Sequence, residues 1–132
     1  MNSTSPATLA CRRISVGIRN GLVVFAGICC ALSAHAQFSC KVSINGVLAY
    51  NDGSVNVLHS GRGDWTVVCA LGRPYTQGLT VGPETCAVWY ATMLRAKKNV
   101  QLLDFYFNGS GTCATINTYW TAPVPTYIGE AG

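Results

Sequence analysis

From residue 38 onward, apolar and polar positions alternate, with Phe38, Cys40, Val42 and Ile44 separated by Ser39, Lys41 and Ser43. A period of two predicts a strand with one buried face. Asn45-Gly46 is a tight-turn pair, after which residues 47–50 either continue the strand past a bulge or open a hairpin partner. Asn51-Asp52-Gly53 is a further turn, and Val55 and Val57 around Asn56 predict a second strand. The Gly61-Arg62-Gly63-Asp64 loop ends it. Residues 65–71, rich in β-branched and aromatic side chains, predict a third strand that Gly72-Arg73-Pro74 stops. Residues 75–82 are expected as a polar, glycine-bearing loop.

The period changes at Pro83. Proline suits the first helical position, Glu84 complements the positive helix N-terminus, and Arg95, Lys97 and Lys98 complement the C-terminus, with Asn99 as the stop. Cys86, Trp89, Tyr90, Met93 and Leu94 fall on one stripe, so these aromatic residues are expected in the core. Residues 100–107 then predict a strand, and the Asn108-Gly109-Ser110-Gly111 turn joins it to a last β-rich run, residues 112–120. Ala122-Pro123-Val124-Pro125 favours neither strand nor helix, and an extended surface tail is expected there.

Three strands, one helix and two strands is the element order of an OB-fold, a small five-stranded Greek-key barrel. The alternative is an open α+β sheet with one packed helix, because Asp104 interrupts the fourth strand's pattern and Asn45-Gly46 could split the first strand. No internal repeat or second domain is evident.

The residues before this domain have a different character. Arg12, Arg13 and Arg19 precede an uncharged apolar run at 21–32, followed by Ser33-Ala34-His35-Ala36. That is the order of a secretory signal peptide, expected over residues 1–36 with cleavage after Ala36. The run is shorter than the roughly 20 residues a membrane-spanning helix needs, so no permanent membrane anchor is expected, and the exported domain is placed outside the cytoplasm, secreted or periplasmic. Neither Cys29 nor Cys30 follows the small residue that lipid attachment requires. Cleavage also changes the charge. Lys41, Arg62, Arg73, Arg95, Lys97 and Lys98 then face Asp52, Asp64, Glu84, Asp104 and Glu130, a balance with no basic tract for a nucleic acid.

Four cysteines remain, Cys40, Cys69, Cys86 and Cys113, with no C-x2-C pair to suggest zinc, and no cofactor is indicated. In an exported domain of 96 residues they read as two disulfides, for which three connectivities exist. Placement on the expected elements favours Cys69 with Cys86, pinning the helix across its loop, and Cys40 with Cys113, fastening the first strand to the last.

Catalytic candidates are few. His59 is the only histidine of the domain and has no nucleophile-elbow sequence beside it, so it is expected on the solvated surface. Asp104 is expected on a strand's solvent face. Arg62-Gly63-Asp64 spells the integrin-binding tripeptide in a glycine-bearing turn, and Asn108-Gly109-Ser110 fits both a glycosylation acceptor and a hairpin turn. Binding candidates are aromatic. Trp65, Tyr75, Tyr119, Trp120 and Tyr127 lie outside the helix, and Tyr75 shares its loop with Arg73 and Gln77, so that a ring, a charge and an amide converge on a polar ligand.

The run Cys69-Ala70-Leu71, a loop, then Trp89, Leu94 and Ala96 on a helix and residues 100–106 as a strand resembles the central part of the B subunits of subtilase-type and typhoid-type AB5 toxins. The likeness covers about the middle third of the domain. Cys69, Cys86, Cys113 and Trp120 also occupy the positions found in small uncharacterised secreted proteins of Gram-negative bacteria. The toxin resemblance implies a ring-forming OB domain that binds cell-surface glycans and partners an enzymatic A subunit. No glycan-contacting motif of that family matches the early strands. The expectation is therefore an exported, non-enzymatic binding or assembly domain with a glycan or protein partner. The alternatives are a monomeric structural or inhibitory protein and, third, a small hydrolase using His59.

Overall fold

A computed structural model describes residues 36–132. The expected leader, residues 1–36, lies outside the described residues except for Ala36. The elements are β1 (Gln37–Ala49), β2 (Ser54–His59), β3 (Trp65–Ala70), β4 (Tyr75–Gln77), β5 (Leu79–Val81), α1 (Pro83–Asn99), β6 (Leu102–Asn108) and β7 (Tyr127–Glu130). Five of the strands form one antiparallel sheet in the order β3-β2-β1-β6-β7, and β4 and β5 form a separate hairpin.

The sheet is organised by β1. Its first half pairs with β6 and its second half with β2, and the register shifts between Ile44 and Gly46. The Asn45-Gly46 pair is thus a bulge within a continuous strand. The bulge turns the strand, so one element serves two sets of neighbours. Cys40, Val42 and Ile44 face the core, where Val55, Val57, Val67, Leu103, Phe105, Phe107 and Ile128 meet them. Complete burial of a phenylalanine such as Phe105 contributes roughly 1.5–3 kcal/mol.

Helix α1 begins with Pro83 at its N-terminus and carries Glu84 in its first turn and Lys97 and Lys98 in its last. It buries Cys86, Trp89, Met93 and Ala96. Tyr90 is half-buried, and Leu94 is partly exposed, so the buried stripe runs through Ala96 instead. Val100 takes a left-handed conformation (φ 55°) and its N–H bonds back to the helix. That cap delays β6 until Leu102. No described helix is long and apolar enough to cross a membrane.

Two disulfides hold the domain. Cys69 on β3 is joined to Cys86 in the first turn of α1, with Cα atoms 5.5 Å apart, and Cys40 on β1 to Cys113, 5.6 Å apart. Cys113 does not open a strand. Residues 113–115 form a turn within an irregular segment, tied by hydrogen bonds between Thr112 and Thr115, and the expected hairpin of residues 100–107 with 112–120 is absent. On the edge away from β1, β6 instead pairs with β7, Tyr106 opposite Tyr127 and Phe105 opposite Ile128.

The expected surface tail is also corrected. Ala122, Val124 and Pro125 are buried, and Val124 N–H donates to the Gln77 carbonyl at 3.3 Å. Their apolar side chains gain more from burial than the irregular backbone loses, since its polar groups find partners. Residues 75–82 are likewise more ordered than a loop, with two three-residue strands turning at Gly78 (φ +80°).

His59 is completely buried rather than solvated. Its ring lies 5.3 Å from that of Phe105, and neither ring nitrogen has a hydrogen-bond partner. Gly61 covers it so closely that a Cβ there would meet Val42 at 2.7 Å and the His59 Nδ1 at 3.3 Å. Burial, with Arg62 nearby, pushes the His59 pKa down to about 4. Asp104 falls, as expected, on the face of β6 opposite the buried Leu103 and Phe105. It is half-buried between Lys41 and Gly129 in the sheet register, and its Oδ1 is sequestered without a partner.

Candidate functional site

The β1–β2 turn and the segment around Tyr119 and Trp120 enclose a cleft of about 330 Å³. One wall comes from Tyr50, Asn51, Asp52 and Ser54, the floor from Asn56 on β2, and the other wall from Tyr119 and Trp120.

Each wall is fixed by local backbone chemistry. Tyr50 N–H donates to the Ser54 carbonyl and Gly53 N–H to the Tyr50 carbonyl, both at 2.9 Å, which closes the turn. Gly53 has φ +84°, and a Cβ on it would come within 3.1 Å of the Gly72 nitrogen, so glycine is required there. Its carbonyl accepts from Leu71 N–H at 2.8 Å, anchoring the turn to the end of β3. The Asp52 carboxylate accepts from Ser54 N–H at 3.0 Å and from the Ser54 hydroxyl at 2.7 Å. These bonds, backbone first, hold its pKa below the ordinary carboxylate value, with a smaller contribution from Arg73, 3.7 Å away. The rim therefore carries a fixed carboxylate with a cation beside it.

The opposite wall depends on Tyr119. It adopts φ 51° and bridges in parallel to Thr66 on β3: its N–H donates to the Trp65 carbonyl at 2.8 Å and its carbonyl accepts from Val67 N–H at 3.2 Å. The left-handed conformation costs a tyrosine energy, which two backbone bonds to a strand edge offset. It brings successive side chains, Tyr119 and Trp120, into one cleft. Trp120 is backed by Tyr75, whose hydroxyl donates to the Trp120 carbonyl at 3.4 Å and whose ring lies 6.2 Å from the indole. Burial raises the Tyr75 pKa, which keeps the phenol protonated as the donor. Tyr50, Tyr119 and Trp120 are each about half exposed (52%, 48% and 50%). Three large rings half open around one cleft are unusual on a surface that gains by hiding them.

The sequence-predicted binding residues divide accordingly. Trp120 lines the cleft, Tyr75 supports it from behind, and Arg73 reaches its rim through Asp52. Trp65 does not face it. Its indole lies over Gly46, where a Cβ would meet Cη2 at 2.6 Å. Gln77 lines a different cleft, with Phe38, Asn108 and Asn117. Tyr127 stacks on Tyr106 in the sheet, with ring centroids 5.0 Å apart. Tyr50, Asn51, Asp52, Ser54 and Asn56 were not anticipated as ligand contacts. The only local signal was the Asn51-Asp52-Gly53 turn.

Other candidates are engaged in the fold. The Arg62 Nε–H donates to the Ile116 carbonyl at 2.8 Å, and the Asp64 carboxylate accepts from Trp65 N–H at 2.7 Å, so both ends of the Arg62-Gly63-Asp64 tripeptide hold structure. Among the described residues, no three His, Cys, Asp or Glu side chains cluster in metal-binding geometry. Comparison with known proteins finds no family model, curated protein or solved structure that matches this chain.

The cleft offers flat apolar ring faces, the Asn51 amide and a carboxylate in one concave surface, with the Asn56 amide almost wholly buried beneath them and the Ser54 hydroxyl already given to Asp52. Such a surface suits a ligand that combines apolar C–H faces with hydroxyl groups.

Proposed function

We propose that this chain is an exported, non-enzymatic binding domain of OB-like barrel form that recognises a glycan through the cleft at Tyr50, Tyr119 and Trp120. The observation that carries the reading is the placement of three half-exposed rings beside Asp52, Asn51 and Asn56 in one rigid cleft. Sugars lay their C–H faces on aromatic rings and direct their hydroxyls to amides and carboxylates. A barrel is supported by the long bulged β1 shared between two sets of strands and by the Thr66–Tyr119 bridge. Through that bridge the segment leading to β7 touches β3, so the chain after residue 118 reaches both outer strands of the sheet.

The resemblance to toxin B subunits agrees with this reading and adds assembly into a ring with a partner subunit. Secretion agrees with the two disulfides, which persist in oxidising compartments. A glycan array probed with the oxidised domain tests recognition. Retention of a defined set of glycans, lost in Trp120→Ala, is the expected result; retention of none, or undiminished retention by the variant, contradicts it. Native mass spectrometry tests assembly separately, with a closed oligomer expected and a monomer at all concentrations removing the ring from the proposal.

A further inference from the structure

A second cleft, about 470 Å³ in volume, lies between the β4–β5 turn and the loop that follows β6. Its surface differs from that of the aromatic cleft. Phe38 contributes one apolar face and Pro123 another, while Gln77, Asn108 and Asn117 supply side-chain amides. Among the described residues, no ionisable side chain lines it. Among the described residues no hydrogen bond engages those three amides, although the neighbouring loop is well bonded internally through Thr112 and Thr115.

The cleft is built by long-range constraints. The Cys40–Cys113 disulfide fixes the loop to β1, and Arg62 holds the loop through the Ile116 carbonyl. Val124 N–H fixes the other wall by donating to the Gln77 carbonyl. Gly111 lies against Phe38, where a Cβ would come within 3.2 Å of the ring, and that ring is itself stacked on Phe107 at 5.0 Å. A stiffened apolar floor with free amides converging above it is the composition of a small-molecule site.

We infer that this cleft is a separate binding site for a small neutral polyhydroxylated ligand, of the size of a disaccharide. The amides donate to and accept from hydroxyl groups, and the Phe38 ring takes an apolar sugar face. The absence of lining charge selects against ionised ligands, which would lose hydration without a counter-charge. The site does not rest on the glycan reading of the aromatic cleft, and the two can fail independently.

The test is a ¹H–¹⁵N titration of the oxidised domain with maltose, lactose and cellobiose, each to about 20 mM, enough to saturate sites of millimolar dissociation constant. At least one probe is expected to move the side-chain amide signals of Gln77, Asn108 and Asn117 saturably, with a midpoint little changed by salt because no charge is involved. Asn117→Ala, at an exposed position, and Gln77→Ala, at a half-buried one, should each weaken binding about tenfold, the equivalent of about 1.4 kcal/mol, while keeping a dispersed native spectrum. Unmoved amide signals with all three probes, shifts confined to the Trp120 indole, or undiminished affinity in both variants would overturn the inference.

Discussion

The Trp65 indole lies directly over the backbone of Gly46, where a Cβ would stand 2.6 Å from Cη2. The bulge that turns β1 is therefore covered by a ring from β3, two strands away in the sheet. Gly46→Ala must displace that ring or the bulge, and is expected to cost about 1–3 kcal/mol in urea unfolding, the usual cost of overpacking. Trp65→Leu removes the obstructing ring, so the double variant should lose less than the sum of the single losses. Additive losses would show that the ring does not constrain the bulge.

The disulfides close loops of very different length, with sequence separations of 17 and 73. By loop entropy, removing Cys69–Cys86 costs about 3 kcal/mol and removing Cys40–Cys113 about 4.5 kcal/mol. Each is a large share of the 5–15 kcal/mol typical of a domain. Paired Cys→Ala variants, compared by denaturant unfolding, should rank in that order.

His59 makes stability depend on pH. Its folded pKa is about 4 against 6.5 for the free side chain, so between those values the unfolded chain binds the extra proton. Stability is then full above about pH 6.5 and falls as pH drops towards 4, by about 3 kcal/mol for this group at 1.36 kcal/mol per pH unit. His59→Leu, which keeps the site filled, should flatten that part of the profile. A variant with the same slope as the parent would assign the dependence to other groups.

The first three strands and the helix are legible because their signals are local, whereas the short β4–β5 hairpin, expected as a loop, is not. Alternation marks β1, a β-branched run marks β3, and Pro83 and the basic last turn bound α1. The C-terminal third is not legible in this way. Residues 112–120 have strand-like composition, yet the bond from Cys113 to Cys40 and the Thr112–Thr115 turn bend them away. β7 is a four-residue strand containing Gly129, too short to show a period. It forms because β6 offers an open edge and Ile128 buries its side chain in the core.

The binding site divides for the same reason. Trp120 and Tyr119 stand out as aromatic residues outside the helix, but their meeting with Tyr50 and Asp52 needs the parallel bridge to Thr66 and a left-handed tyrosine. Neither has a local sequence signal. Gln77 lies only two residues from Tyr75 on the same short strand, yet its side chain lines the other cleft, so proximity in the chain joined residues that the fold assigns to different surfaces.

The Tyr75 phenol supports Trp120 without lining the aromatic cleft. Tyr75→Phe removes one hydrogen bond, a loss of about 1 kcal/mol in stability, and should weaken glycan binding by less than tenfold. Trp120→Ala removes the stacking surface itself. Calorimetric comparison of the two variants with one bound glycan separates support from contact.

Recognition by the aromatic cleft is tested most directly by following the Trp120 indole N–H signal while a glycan selected from the array is titrated into the oxidised domain. The account predicts a saturable shift of that signal together with those of Asn51 and Asn56, and loss of binding in Tyr119→Ala and Trp120→Ala variants that remain folded. A bound glycan that leaves all three signals unmoved, or that binds both variants as tightly as the parent, would contradict it.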